Sequence, residues 1–225
     1  MQKKLFAACL VIAAFAGVPS FASANPILTE PTGTSLAAGT KITATNVGSV
    51  IWSNSVDPWN CATASLTWTL TSNATATGVK GEISSAKFGG TGATQSGAPE
   101  PECTEGNFFL PNTSLTPEIN MPWCLEAPAA TDTFTIVGGP CGAPRAIKIN
   151  FDATGIGTCE YSRSAAVNGT IVTDGAGANE NTLAITNQAW TKTGGPGLCP
   201  GTVELTMRFS LETDASPFNQ IFLSS

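Results

Sequence analysis

The residues best placed to contact a ligand lie in a turn-like segment beside a cysteine. Trp59 follows Asp57 closely and stands two residues before Cys61. An indole ring can stack on the face of a sugar, and a nearby carboxylate can accept hydrogen bonds from its hydroxyl groups. We therefore take Asp57, Trp59 and Trp123, the last beside Cys124, as ligand-binding candidates. The alternative is that each tryptophan packs on the neighbouring cystine.

Paired carboxylates are the one catalytic chemistry that the composition leaves open. A glycosidase needs two carboxyl groups about 5–10 Å apart across a cleft. Asp57, Asp152, Glu160 and Glu204 are the acids to consider. Each also fits a solvent-facing position on a strand or loop, and nothing in their spacing makes two of them face each other. No catalytic residue is assigned, and a non-enzymatic protein is favoured.

Most other enzymatic mechanisms are excluded by the residues that are missing. The chain contains no histidine, so neither a Ser-His-Asp nor a Cys-His hydrolase can be built. It has no C-x2-C pair for zinc and no phosphate-binding loop of the G-x-x-x-x-G-K-[ST] type. We expect no cofactor.

A glycine-rich segment at 174–180 is the weak candidate for a metal site. Asp174, Asn179 and Glu180 bring the oxygen ligands that calcium prefers. The segment lacks the alternating acidic positions of an EF-hand, and a flexible hairpin turn is the simpler interpretation. No metal site is assigned.

The cysteine count predicts three disulfides. Cys9 lies in the N-terminal apolar stretch, and six cysteines follow it: Cys61, Cys103, Cys124, Cys141, Cys159 and Cys199. An even number in an exported chain indicates a disulfide framework. Six cysteines allow about 15 pairings, which sequence alone does not resolve. Our preferred guess pairs them in sequential order.

The first 24 residues read as a cleavable signal peptide. Lys3 and Lys4 precede an apolar stretch from Leu5 to Val18, and Ala22-Ser23-Ala24 supplies the small residues of a cleavage site. Cleavage before Asn25 would leave 201 of the 225 residues as one secreted β domain. We expect residues 25–40 to be an extended, loosely packed N-terminal segment of it.

Charge limits the partners. Without Lys3 and Lys4 the chain has 8 basic and 16 acidic side chains, a net charge of about −8. An acidic surface repels phosphate backbones, so we expect no nucleic-acid partner. No later segment is apolar enough to span a membrane. The partner that we expect is a cell-surface glycan or a protein, and the oligomeric state stays open.

Period-2 alternation recurs along the chain and predicts an all-β fold. The best example is 202–212, where Val203, Leu205, Met207, Phe209 and Leu211 share one face. Further strands are predicted at 41–46, 49–53, 65–71, 79–88, 133–137, 146–152, 159–164, 170–173 and 182–191. This density of short strands is typical of an antiparallel, Greek-key-like sandwich or barrel.

Two cysteine-bounded segments have similar lengths and similar contents. Segments 61–103 and 159–199 each enclose a predicted hairpin. In each, the second strand carries isoleucine, four residues and an aromatic residue, followed by glycines, at 83–90 and 185–195. An internal duplication is one explanation. The ordinary composition of β-hairpins is the other.

Several segments resemble those of a known group of proteins. They are 39–44 (GTKITA), 122–125 (PWCL), 159–163 (CEYSR), 199–200 (CP) and 205–212 (LTMRFSLE). In these the chain resembles a group of uncharacterised secreted bacterial six-cysteine β proteins with no established activity. The resemblance implies an exported β protein and transfers no catalytic residue. A structural or interaction role is therefore our main hypothesis, with a carbohydrate-binding module and a carboxylate-based glycoside hydrolase as alternatives.

Overall fold

The strands account for the regular structure of the protein. The computed structural model describes residues 27–30, 34–55, 58–89, 103–105, 113–116, 121–129, 131–153, 157–173, 181–213 and 222–224. Within these ranges the secondary structure is β-strand and none is helix, so the predicted all-β class is confirmed. The strands are β1 Ile27–Thr29, β2 Lys41–Asn46, β3 Val50–Asn54, β4 Trp59–Cys61, β5 Thr63–Ala74, β6 Gly78–Gly89, β7 Thr104–Glu105, β8 Thr113–Thr116, β9 Trp123–Ala127, β10 Thr133–Gly138, β11 Ile147–Ala153, β12 Gly157–Arg163, β13 Val167–Thr173, β14 Asn181–Gly194, β15 Thr202–Thr213 and β16 Phe222–Ser224.

Eight strands close into an antiparallel barrel. Their order is β2-β5-β6-β9-β10-β13-β14-β15, and β15 pairs back with β2 to complete the ring. Inward and outward residues alternate along β15, as its predicted pattern required. A barrel of eight strands either is filled by its own side chains or holds one small ligand.

Parts of β14 and β15 extend beyond the barrel and form a second layer with other strands. The start of β15 pairs with β3 through 203–206, and the end of β14 pairs with β12 through 191–194. The resulting upper sheet runs β7-β4-β3-β15-β14-β12-β11-β8. Its two wings, β3-β4-β7 and β12-β11-β8, lie on opposite sides of the shared pair β14–β15.

Aromatic side chains fill the space between the wings. Trp52 lies edge-on to Phe151 with ring centroids 5.1 Å apart, and to Trp190 at 6.0 Å. Edge-to-face pairs of this kind add to the stability that burial itself gives. The cluster consists of Trp52, Trp59, Phe88, Phe151, Tyr161 and Trp190.

The three disulfides follow the sequential pairing that we preferred. The bonds are Cys61–Cys103, Cys124–Cys141 and Cys159–Cys199. Cys61–Cys103 links the upper-layer strand β4 to the chain that follows the barrel hairpin β5–β6. Cys159–Cys199 likewise links β12 to the chain that follows the hairpin β13–β14. The third ties β9 to the turn after β10. Each restricts the unfolded chain and stabilises the fold by about 2–4 kcal/mol.

The two halves of the chain repeat one order of elements, although the upper layer joins the barrel through β3 and β15 in the first half and through β12 and β14 in the second. In each half a barrel strand (β2 or β10) is followed by an upper-layer hairpin (β3–β4 or β11–β12). A barrel hairpin comes next (β5–β6 or β13–β14), and another barrel strand (β9 or β15) completes the half. The two cysteine-bounded segments noted in the sequence occupy equivalent places in this pattern.

A β-bulge explains the spacing of isoleucine and aromatic residue in the first half. Residues five apart face opposite sides of a regular strand, yet Ile83 and Phe88 are both buried. The register passes from Trp68–Ile83 to Thr67–Ser85, so Ser84 is an extra residue. The bulge returns Phe88 to the inner face where β6 reaches the upper layer.

The second half has a bulge at the equivalent place. Ile185 pairs with Met207, whereas Gln188 pairs with Leu205, so an extra residue is inserted at Thr186 and Asn187. Asn187 has a positive φ of 49°, which asparagine tolerates better than most residues. The bulge lets β14 run from the barrel into the upper layer.

Three local expectations differ from the structure. The N-terminal segment is anchored at Leu28 and Leu36, which are buried on the barrel, whereas Thr34, Ser35 and residues 37–39 are exposed. The strand predicted to end at residue 71 continues to Ala74, so the turn into β6 lies just before Gly78, which has a positive φ. The segment around Trp59 is a strand rather than a turn.

Candidate functional site

The tryptophans singled out as ligand contacts lie in the core. Trp59 is 1 % exposed and Trp123 is 4 % exposed. Trp59 pairs with Trp52 across β3 and β4, and Trp123 shares the inward face of Ile83. A sugar could not stack on either ring without displacing core side chains, so neither presents a platform. This corrects the ligand-contact expectation for both tryptophans.

Two other expectations fall on parts of the chain that are not described. Asp57 lies outside the described residues, and so do the calcium candidates Asp174, Asn179 and Glu180. Among the described residues, no group of three or more acidic or cysteine side chains is placed to hold a metal ion.

Two of the candidate carboxylates are neighbours on an open surface. Asp152 pairs with Thr158, two residues from Glu160, so the two acids are diagonal neighbours on the β11–β12 hairpin. Asp152 accepts a hydrogen bond from the Thr158 hydroxyl at 2.6 Å, whereas the Glu160 side chain lies over Gly194 of β14. Both are exposed. Glu204 lies on β15, beyond the intervening strands β12 and β14. The three described acids do not form a facing pair across a cleft.

The barrel interior is tightly filled below Leu28. The space between Leu28, Trp68, Phe134 and Leu211 holds a void of about 10 Å³. That is the space of a single water molecule. Two larger pockets of the described structure lie on its outer surface.

In the upper layer, burial raises the pKa of the Tyr161 phenol, which donates a hydrogen bond to the Pro200 carbonyl at 2.9 Å.

A groove of about 440 Å³ crosses the outer face of β10, β13 and β14. We call it the β13 groove. The strand register sets two rows of outward residues that line the groove. One row is Thr133, Thr170 and Ala184, and the other is Thr135, Asn168 and Thr186. The short side chain of Ala184 leaves the middle of the groove open.

Four side chains in the β13 groove have hydrogen-bonding capacity to spare. Within the described structure, the side chains of Thr135, Asn168, Thr170 and Thr186 make no hydrogen bond to another residue. Each carries at least one donor and one acceptor. They lie on three adjacent strands and point into the same space.

A fixed polar wall closes the upper end of the groove. The Gln188 amide oxygen accepts hydrogen bonds from the Arg163 guanidinium at 2.9 Å and from the Asn168 backbone N–H at 3.1 Å. Arg163 also donates to the carbonyls of Ala166 and Ala189. Partial burial lowers the pKa of Arg163, yet an arginine stays charged throughout the ordinary pH range. The bulge at Thr186 and Asn187 places this wall above the groove.

The first half of the chain has an equivalent surface of different chemistry. There Lys41 pairs with Thr69, and Thr69 pairs with Glu82. These three residues hold the positions that Thr133, Thr170 and Ala184 hold in the second half. A cation and an anion thus replace a threonine and an alanine. The repeat therefore supplies a matched control surface within one molecule.

Sequence reasoning missed the β13 groove. The sequence predicted only a short strand at 133–137. β13 pairs with both β10 and β14 and so brings together residues about fifty positions apart in the chain. The bulge after Ile185 also changes which residues of β14 face outward. Neither could be deduced from local patterns.

Comparison with known proteins adds no relative. No protein family model, curated protein or solved structure matches the chain. The described part of the chain also holds no helix that could cross a bilayer. Function must therefore be argued from the fold and the surface alone.

Proposed function

We propose that the chain is exported and acts outside the cytoplasm as a non-enzymatic β protein with a structural or interaction role. The observation that supports this is the framework of three disulfides, two of which hold equivalent places in the two halves. Disulfides of this kind persist in oxidising compartments. The predicted signal peptide at 1–24 agrees with that location.

The surface chemistry favours binding over catalysis. The described interior is filled by side chains, and the described candidate acids Asp152, Glu160 and Glu204 are exposed. A general acid normally needs a raised pKa from a buried or water-excluded site. A rigid barrel with a polar outer groove instead suits recognition, and a carbohydrate-binding role is the second candidate because of the β13 groove.

Export is tested by following the full chain in a bacterial host with a secretion pathway. Mass spectrometry of the secreted product should find Asn25 as the first residue and no thiol that alkylates without reduction. The matched variant Ala24→Arg should keep the signal attached, because the cleavage site needs a small residue. A product that stays in the cytoplasm with its seven cysteines, Cys9 included, as free thiols would contradict the proposal.

The absence of catalysis is tested separately with the secreted protein. Incubation with a panel of soluble polysaccharides at acidic and neutral pH should release no reducing sugar. Hydrolysis that disappears in Asp152→Asn or Glu160→Gln would replace this proposal with the carboxylate-hydrolase alternative. Size-exclusion chromatography across concentrations distinguishes a monomeric binding protein from a self-assembling structural one.

A further inference from the structure

We propose that the β13 groove binds a neutral, hydroxyl-rich ligand, that is, a carbohydrate. This rests on the proposed function, since it names the contact surface and the class of partner of an interaction protein. The groove volume of about 440 Å³ lies within the range of about 300–1,000 Å³ usual for small-molecule sites.

The free polar groups match those of a sugar. A sugar hydroxyl both donates and accepts, as a threonine hydroxyl does, and an amide offers both functions on separate atoms. Thr135, Asn168, Thr170 and Thr186 present these groups from three adjacent strands. A ligand with several hydroxyl groups on one ring could use them together.

Charge argues against a cationic ligand. The groove residues carry no formal charge, and the charged residues beside it already have partners. Glu126, which is opposite Thr135, receives the Lys80 ammonium at 3.0 Å. Arg208, which is opposite Ala184, donates to the Thr182 hydroxyl at 3.0 Å. A cation would therefore have to displace Lys80 to reach the Glu126 carboxylate. Arg208 and Arg163 donate to neutral oxygens, so the triglucuronic acid comparator tests whether they attract an anion.

The backbone argues against a peptide ligand. A peptide that adds a strand needs a sheet edge with unpaired N–H and C=O groups. In the groove, β13 lies between β10 and β14, and both of those are paired on their far sides with β9 and β15. Recognition there has to use side chains, which favours the sugar.

The groove is also built to keep its shape. Its floor is the central part of a closed barrel, and the wall residue Gln188 is fixed by Arg163 and by the Asn168 backbone. A preformed site loses little entropy when it binds. With no aromatic ring among its exposed lining residues, we expect weak binding that depends on hydrogen bonds.

The experiment is an amide NMR titration of the disulfide-bonded protein. The probes are neutral trisaccharides of glucose, mannose and N-acetylglucosamine, with triglucuronic acid and a neutral tripeptide as comparators. The blocking variant is Thr170→Trp, and the matched control is Thr69→Trp at the equivalent position of the other half. Both substitutions are at exposed strand positions, so equal melting temperatures would verify that each variant folds.

The proposal expects at least one neutral trisaccharide to shift amides at 133–135, 168–170 and 184–188. Thr170→Trp should abolish these shifts, and Thr69→Trp should keep them. Asn168→Ala should weaken binding about threefold to tenfold, the usual effect of losing one hydrogen-bonding side chain.

Three results would overturn the proposal. They are no groove shifts with any neutral sugar, shifts that survive Thr170→Trp, and a stronger response to the tripeptide or to triglucuronic acid. Each would leave the export and disulfide results untouched, so failure here is distinguishable from failure of the proposed function.

Discussion

Trp59 and Phe151 stack in the upper layer with ring centroids 4.3 Å apart and planes tilted by 50°. Trp59 lies on β4 in the first half of the chain, and Phe151 lies on β11 in the second. Their contact therefore joins the two wings of the upper sheet, which the shared pair β14–β15 connects through backbone hydrogen bonds. Phe151 also contacts Tyr161 edge-on at 5.4 Å, which extends the cluster along the second wing.

Removing the Trp59 ring should destabilise the protein severely. Trp59→Ala would leave a cavity between the wings, and the free energy of unfolding should fall by about 3–5 kcal/mol. Urea denaturation followed by circular dichroism measures the loss. Trp59→Phe should lose less, because an aromatic ring still fills part of the space. Leu198→Ala is the surface control, since Leu198 is 74 % exposed. Equal stability of Trp59→Ala and Leu198→Ala would show that the stacking is unimportant.

Gly169 should not tolerate a side chain, because Phe134 occupies its place. A Cβ on Gly169 would overlap the Phe134 ring and lie 2.7 Å from the Ala184 carbonyl oxygen. Gly169→Ala should therefore lower the free energy of unfolding by about 1–3 kcal/mol, the usual effect of overpacking. Thermal unfolding measures it. Gly197→Ala is the matched control, because a Cβ there meets nothing within 4 Å.

A double variant makes this test specific. Phe134→Leu opens space beside Gly169, so Gly169→Ala should be less harmful in that background than in the native protein. Additive effects of the two substitutions would mean that the ring and the glycine are not coupled.

The parts of the fold that sequence predicted are those set by local alternation. β2 was predicted at its observed bounds, and β15 to within one residue, because both alternate regularly between apolar and polar residues. Sequential disulfide pairing was a correct guess. The choice between sandwich and barrel was left open, since closure depends on the pairing of β15 with β2 and sequence patterns do not show it.

The parts that were missed depend on distant contacts. Trp59 was read as part of a turn because Asp57 and Pro58 precede it, yet pairing with Trp52 makes it a strand residue. Leu28 looked like part of a loose segment, and only the barrel end beneath it explains its burial. The five-residue spacing of Ile83 and Phe88 was noticed as a repeat, although its cause, a bulge, requires the partner strand.

Asn73 should hold the N-terminal strand on the barrel. Its amide accepts a hydrogen bond from the Leu28 N–H at 2.9 Å and donates to the carbonyls of Leu28 and Leu36. Asn73→Ala would leave these backbone groups without partners, at a cost of about 1–3 kcal/mol for each one that stays buried. We expect faster amide exchange at Leu28 and faster proteolysis near the N-terminus, with little change in the upper layer.

The control for this prediction lies on the same strand. Thr71 is exposed and two residues from Asn73, so Thr71→Ala should leave exchange at Leu28 unchanged. If Asn73→Ala and Thr71→Ala exchange alike at Leu28, the amide does not hold the segment.

Alkaline pH should destabilise the protein through Tyr161. Burial raises the pKa of this phenol above its ordinary value, so the folded protein retains a proton that the unfolded chain releases from about pH 10. The stabilisation that the protonated Tyr161 phenol contributes is therefore complete below about pH 10. The free energy of unfolding should fall above that pH by up to about 1.4 kcal/mol per pH unit for this one group. Tyr161 is the only tyrosine, so tyrosinate absorbance reports its titration directly.

The matched variant is Tyr161→Phe, which keeps the ring among Trp59 and Phe151. It should cost about 1 kcal/mol near neutral pH, because the hydrogen bond to the Pro200 carbonyl is lost. Its stability should fall less steeply above pH 10 than that of the native protein, because it lacks the phenol. Parallel alkaline unfolding curves for the two proteins, or tyrosinate absorbance that appears at pH 10 in the folded native protein, would show that the phenol is not protected by burial.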